Sequence, residues 1–244
     1  MGIKKPIAFM KRILLAACIL TFSLPVFSQQ NADYAYSIGI RGFNYMQMPK
    51  ILNQSNSDNY LKSYFNSVLL KFNDNLFSYR INGSYLKKDD QFFNNCENCE
   101  LVKGQMKDYA FKLGFEKNFS YTAIQPYFAL DLGYRSNKFT GTSMTVNPDK
   151  LAQYDAVSSS VPANNVTATK EGFTISPVLG IKFNPIKEIS IFAESNLEFF
   201  YSYERQETIT QDASNTRSLS KFRKGEYLIN PVSVGIQIHL VNKN

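Results

Sequence analysis

Eight stretches of this chain alternate apolar and polar residues with a period of two, and the segments joining them are by turns short and long. The stretches cover residues 34–45, 60–72, 76–86, 107–116, 124–135, 172–183, 189–203 and 227–241. In the first, Tyr36, Ile38 and Ile40 alternate with Ser37, Gly39 and Arg41; in the fourth, Tyr109, Phe111, Leu113 and Phe115 alternate with Ala110, Lys112, Gly114 and Glu116. Such alternation puts successive side chains on opposite faces of a strand, and no helical period of useful length competes with it. Short connections (73–75, 117–123, 184–188) follow stretches two, four and six, and long ones (46–59, 87–106, 136–171, 204–226) follow one, three, five and seven. Eight antiparallel strands in sequence order would therefore carry all their long loops at one end. A soluble sandwich has no reason for that regularity.

The polar faces decide what encloses what. They carry Arg41, Arg80, Lys112, Glu116, Asp131, Arg135, Lys182, Glu194 and Glu198, charges of both signs. Buried in a dry soluble core these would be costly, whereas in a narrow closed lumen they can pair. Closure also removes the exposed strand edges of an open sheet. The reading is an all-β, eight-stranded, antiparallel up-and-down barrel with its apolar side out, each strand about as long as the 9–11 residues that cross a bilayer at a tilt. Short turns then face the periplasm and long loops the exterior, the rhythm of outer-membrane barrels. Tyr and Phe gather near the strand ends, as in interfacial girdles, although the chain has no Trp. The hairpin 67–85 shows the reversed sense: Phe77, Tyr79 and Ile81 should face lipid and Arg80 the lumen, so that Arg80→Leu is expected to be tolerated better than Ile81→Arg.

Residues 1–28 read as a cleaved secretory signal peptide, leaving 29–244 as one barrel domain. Lys4, Lys5, Lys11 and Arg12 precede an apolar run to Phe27, and Val26 and Ser28 occupy the small-residue cleavage positions. Leu15-Ala16-Ala17-Cys18 imitates a lipoprotein box, but the five apolar residues between Arg12 and Cys18 fall short of the roughly seven such a signal needs. Removing the leader's four basic residues, with no acidic ones, lowers the formal net charge from +7 to +3. Basicity therefore supplies no argument for a nucleic-acid partner, and export argues against one.

Residues with chemical potential have ordinary readings available. Cys96 and Cys99, in the second long connection, are candidates for a local disulfide in an exported protein. A zinc site would need further ligands, and the chain has one histidine, His239. Glu194 and Glu198 are four residues apart on one strand, about 13 Å at 3.3 Å per residue, too far for paired-carboxylate glycosidase chemistry. His239 has no evident nucleophilic partner and reads as a rim or lumen residue near the periplasmic end. Arg217, Lys221, Arg223 and Lys224 form a basic loop patch, either solvated or able to grip lipopolysaccharide phosphates. The third long connection, rich in Ser, Thr, Asn and Ala, has little to bury.

In leader, strand pattern, connection rhythm and the final strand PVSVGIQIHL, the chain resembles the small outer-membrane β-barrel family, the group around the OmpA transmembrane domain and its PorT-like relatives. The resemblance covers about residues 34–241 and implies an outer-membrane location in a Gram-negative-type envelope. Such barrels usually end on an aromatic residue, whereas this chain runs on to Leu240-Val241-Asn242-Lys243-Asn244. The partners it implies are outer-membrane lipid and lipopolysaccharide, the outer-membrane assembly machinery, and an extracellular or envelope protein at the loops. It implies no cofactor and no enzymatic activity. An eight-stranded interior is just wide enough for side chains to fill, so a structural or surface-binding role, with the barrel as anchor, comes first. A narrow channel or an accessory part of transport or secretion comes second. A soluble lipocalin-like barrel or a lipid-modifying barrel enzyme comes third.

Overall fold

A computed structural model describes residues 34–52, 60–74, 77–93, 100–120, 122–145, 163–211 and 215–240. The leader 1–28 and the cysteine pair Cys96 and Cys99 lie outside the described residues. Eight strands follow in order: β1 (Tyr36–Gln47), β2 (Tyr60–Asp74), β3 (Phe77–Phe93), β4 (Glu100–Asn118), β5 (Ile124–Thr145), β6 (Asn164–Ile186), β7 (Ile189–Ile209) and β8 (Arg217–His239). Each pairs antiparallel with its sequence neighbours, and β8 returns to β1, closing the barrel. Strand number, order and closure agree with the alternation read from the sequence. The start of β1 and the end of β8 meet at the short-turn end, where Leu240 N donates to Tyr36 O and His239 N to Glu188 O.

The strands beyond β2 are longer than the alternation predicted, and most of the excess lies at the long-connection end, with two residues of β4 and three of β6 added at the short turns. Residues 136–145 and 164–171, expected as loop, form a paired hairpin, as do 87–93 with 100–106 and 204–209 with 217–226. At about 3.3 Å per residue the 22 residues of β5 extend roughly 70 Å, well over a tilted crossing.

The hydrophobic sense of the barrel inverts along its length. In the half nearer the short turns, Ile38, Ile40, Leu113, Leu132, Ile175, Ile236 and Ile238 project outward and are exposed, while Lys71, Arg80, Glu116 and Glu198 fill the interior. Beyond Tyr109 and Tyr134 the phase reverses. There the outward residues are Lys107, Lys138 and Thr140, and the inward ones are Val102, Met106, Phe139, Val166 and Ala168, all buried. This reversal hid the long hairpins in the sequence: read with an apolar-out phase, their outer face looks like loop.

Register shifts in β1–β2, β1–β8, β6–β7 and β7–β8, and ladders that stop short, shape the wall. Between β1 and β2 the register shifts after Arg41, and Phe65 takes up the extra residue at φ 50° with its ring turned outward. The β2–β3 ladder stops at Ser67 and Ser84, and the β1–β8 ladder at Tyr45 and Val232. The segment after β1 turns into the space between, burying Ile51 and Leu52 against Phe92, Val102, Met106 and Phe139.

Candidate functional site

Among the described residues, buried charge is concentrated in the lumen. In its central part Glu116 accepts from Lys71 Nζ and Lys182 Nζ, each at 2.6 Å, and pairs with Arg80 at 3.3 Å. Arg80 reaches across to Glu194 at 2.9 Å and lies 3.1 Å from Asp131 Oδ1, the latter an ion pair without hydrogen-bond alignment. Glu194 also accepts from Arg41 at 2.7 Å and from the Tyr127 hydroxyl at 2.8 Å. Arg41 extends the network to Ser67 and Asn82. The Lys71 and Lys182 ammonium groups, held together on Glu116, stand 5.2 and 4.9 Å from the Tyr127 ring centroid.

A second tier lies toward the long hairpins. Glu198 accepts from Lys112 and, at 2.6 Å, from Arg135. Arg135 and Asn137 both donate to Asp108 at 2.9 Å. Above it Lys170 pairs with Glu204 and Glu226 and donates to Lys50 O at 2.7 Å. Seven enclosed cations (Arg41, Lys71, Arg80, Lys112, Arg135, Lys170, Lys182) thus meet seven carboxylates (Asp108, Glu116, Asp131, Glu194, Glu198, Glu204, Glu226), with the partly exposed Lys224 beside Glu226 at the edge, so the enclosed filling is electrically balanced. All nine residues read from the polar faces stand in this network. Lys71, Asp108, Lys170, Glu204, Glu226 and Tyr127 belong to it too and were not singled out: Lys71 lies in the second stretch, whose faces were not resolved, and Lys170, Glu204 and Glu226 lay in supposed loops.

Glycines on the inner face make room for the rings. Tyr127 lies opposite Gly180 and Phe192 opposite Gly235, and a Cβ at either glycine would overlap the ring. Between the two tiers a polar cavity of about 50 Å³ remains, lined by Arg41, Asn82, Lys112, Asp131 and Glu198. It is large enough for a few water molecules only. Toward the long hairpins the lumen is stoppered by the apolar cluster around Ile51 and Leu52. Apart from that cavity, side chains of the described residues fill it.

Structural comparison places this arrangement. A major outer membrane protein from Thermus thermophilus superimposes with a TM-score of 0.52 at 9% identity, over 85% of this chain and 100% of that one. The outer membrane protein OprG from Pseudomonas aeruginosa gives 0.50 at 10% identity, over 87% and 100%. The fold is that of small outer-membrane barrels. No protein-family model and no curated protein matches the chain.

The remaining candidates fall at the two ends. His239, at the short-turn rim, is buried between two serines that sequence reading did not connect with it: Ser37 Oγ lies 2.9 Å from Nδ1 and Ser190 Oγ 2.6 Å from Nε2. Ser190 donates its own proton to Asn184 Oδ1, and Ser37 accepts from Asn73 Nδ2. These bonds assign the ring proton to Nε2 and make Ser37 the donor to Nδ1. Tyr34 stacks on the ring at 3.5 Å. A Ser–His pair is therefore present, with Ser37 donating to the unprotonated Nδ1, but Ser37 and Ser190 are both buried and closed off from solvent.

At the other end, the basic residues expected in a loop stand on β8, because the connection that seemed to hold them is mostly paired strand. Arg217, Lys221 and Arg223 project outward, whereas Lys224 lies on the inward face with Glu226 at 3.3 Å. The four do not form one patch. Arg217 Nε is 2.7 Å from Glu207 Oε1, and this hydrogen bond holds the exposed Glu207 carboxyl below the usual glutamate range.

Proposed function

We propose that the chain is an exported outer-membrane barrel, similar to the OmpA transmembrane domain and PorT-like proteins, whose sealed lumen makes it an anchor for the long hairpins rather than a pore. The carrying observation is the inversion of hydrophobic sense. A band that is apolar outside and charged inside suits lipid around it, and extensions that are polar outside, over an apolar filling in β4–β6 and a polar one in β7–β8, suit water. In water the band would expose an apolar surface far larger than the few hundred Å² a soluble monomer tolerates. The residue 1–28 leader supports export, and the closed ring without edges supports insertion. Its partners on this reading are outer-membrane lipid, lipopolysaccharide and the assembly machinery, with an envelope or extracellular protein at the hairpins. A non-enzymatic role is supported by the enclosed Ser190–His239 pair, which has no access for substrate.

Planar-bilayer recording tests the sealed lumen. The refolded protein should show no stepwise conductance above the bare membrane. Stable single-channel steps would overturn the anchor reading in favour of a narrow channel.

A further inference from the structure

The outward face carries a second ordered feature, visible only once the register is known. Lys87 lies directly opposite Lys107, and Lys107 directly opposite Lys138, so three adjacent strands present three lysines side by side. The row continues through Thr169 to Arg205 and Lys221. Five of its six positions are cationic and none is acidic. Lys87, Lys107 and Lys138 are exposed, and the outward ion pairs among described residues join Arg205 and Arg217 to Glu207, not these lysines to any carboxylate.

Like charges directly opposite on neighbouring strands destabilise a sheet. Water solvates these exposed lysines, with Asp89 and Glu171 nearby on the same face, and anions from outside would relieve the repulsion along the ladder. The position says which. Lys87 and Lys107 lie two residues from Tyr85 and Tyr109, and Lys138 four from Tyr134, on the same outward face. These tyrosines end the apolar band, as interfacial aromatics do. Two residues along a strand are about 7 Å and four about 13 Å, so the ammonium groups of Lys87 and Lys107 sit at headgroup depth and that of Lys138 at its outer side, with flexible stems that can reach back toward the rings.

We infer that the Lys87–Lys107–Lys138 row is a binding surface for phosphate groups borne by lipids of the leaflet at the long-hairpin end. This rests on the membrane reading above. Its test is the protein refolded in phosphatidylcholine vesicles, where a heat-modifiable band on gels first establishes that the barrel has inserted. Diphosphorylated lipid A, or the same lipid with its phosphates removed, is then titrated in, and the rise in denaturation midpoint gives an apparent affinity. The phosphorylated lipid should bind the wild type much more tightly than the dephosphorylated one. A Lys87→Gln/Lys107→Gln/Lys138→Gln variant should bind the phosphorylated lipid on the order of 100-fold more weakly, from about 1 kcal/mol per cation near an anionic surface. In phosphatidylcholine alone it should be at least as stable as wild type, since the repulsion is gone. Lys117→Gln, at the other end of β4, should leave lipid binding unchanged. Undiminished binding by the triple variant, equal binding of the dephosphorylated lipid, or reproduction of the effect by inorganic phosphate would each overturn the inference. Absence of the heat-modifiable band in wild type would instead remove the membrane reading itself.

Discussion

Glu116 is the carboxylate on which the centre of the lumen depends. It is the ion-pair partner of both Lys71 and Lys182, whereas Arg80 also has Glu194 and Asp131. Glu116→Gln keeps the shape, removes the charge and leaves two buried ammonium groups without a carboxylate. Breaking a buried pair from one side costs about 3–5 kcal/mol, because the abandoned charge stays desolvated. With a urea slope of about 2 kcal/mol per M for a domain of this size, the midpoint of unfolding from vesicles should fall by roughly 2 M. A second change, Lys71→Met, should recover part of that loss, since it removes one orphan and restores net balance. The coupling between the two sites should then be strongly favourable to the double variant. A Glu116→Gln midpoint within about 0.3 M of wild type, or losses that simply add in the double variant, would mean that Glu116 does not hold the two ammonium groups in place.

Three further outcomes follow from the same geometry. Arg80→Leu should be at least as damaging as Ile81→Arg, contrary to the expectation from sequence: it strips Asp131 of its ion-pair partner at about 3–5 kcal/mol, against about 2–4 kcal/mol for a charge in lipid, and paired refolding titrations give the order. Gly180→Ala should destabilise by about 1–3 kcal/mol by driving the Tyr127 ring from its place, and Tyr127→Leu in the same background should relieve it in a denaturation series. At the β7–β8 tip the carboxyl of Glu207 is held down by Arg217, so its contribution is present above the ordinary glutamate value near 4.3 and is lost as pH falls through its lower folded value. Amide exchange at Thr208 should quicken on that acid limb, and Arg217→Gln should weaken the pH dependence, leaving the smaller part that Arg205 supplies.

How much of this was legible in the sequence depended on the phase of the alternation. Where lipid-facing and lumen-facing residues alternate in one sense, as in 107–116 and 124–135, the strands and their inward charges could be read directly. Beyond Tyr109 and Tyr134 the sense flips, and Phe139, Val166 and Ala168 look like stray apolar residues in polar loops. Partners were not readable at all: Arg80 and Glu194 are 114 residues apart and meet only because the ring closes. The lysine row likewise depends on register, since nothing in the spacing of Lys87, Lys107 and Lys138 places them opposite one another.

Apolar residues facing lipid and charges enclosed with their rings in a sealed lumen can be told apart by fluorescence. The chain has no tryptophan, so single substitutions report without background. Leu132 is exposed on the outer face and Tyr127, five positions earlier on the same strand, is enclosed among Lys71, Lys182 and Glu194. In vesicles of lipids brominated along their chains, the fluorescence of Leu132→Trp should be strongly quenched and that of Tyr127→Trp nearly untouched. Equal quenching of the two, or quenching of Tyr127→Trp alone, would contradict an apolar-out barrel with a closed interior.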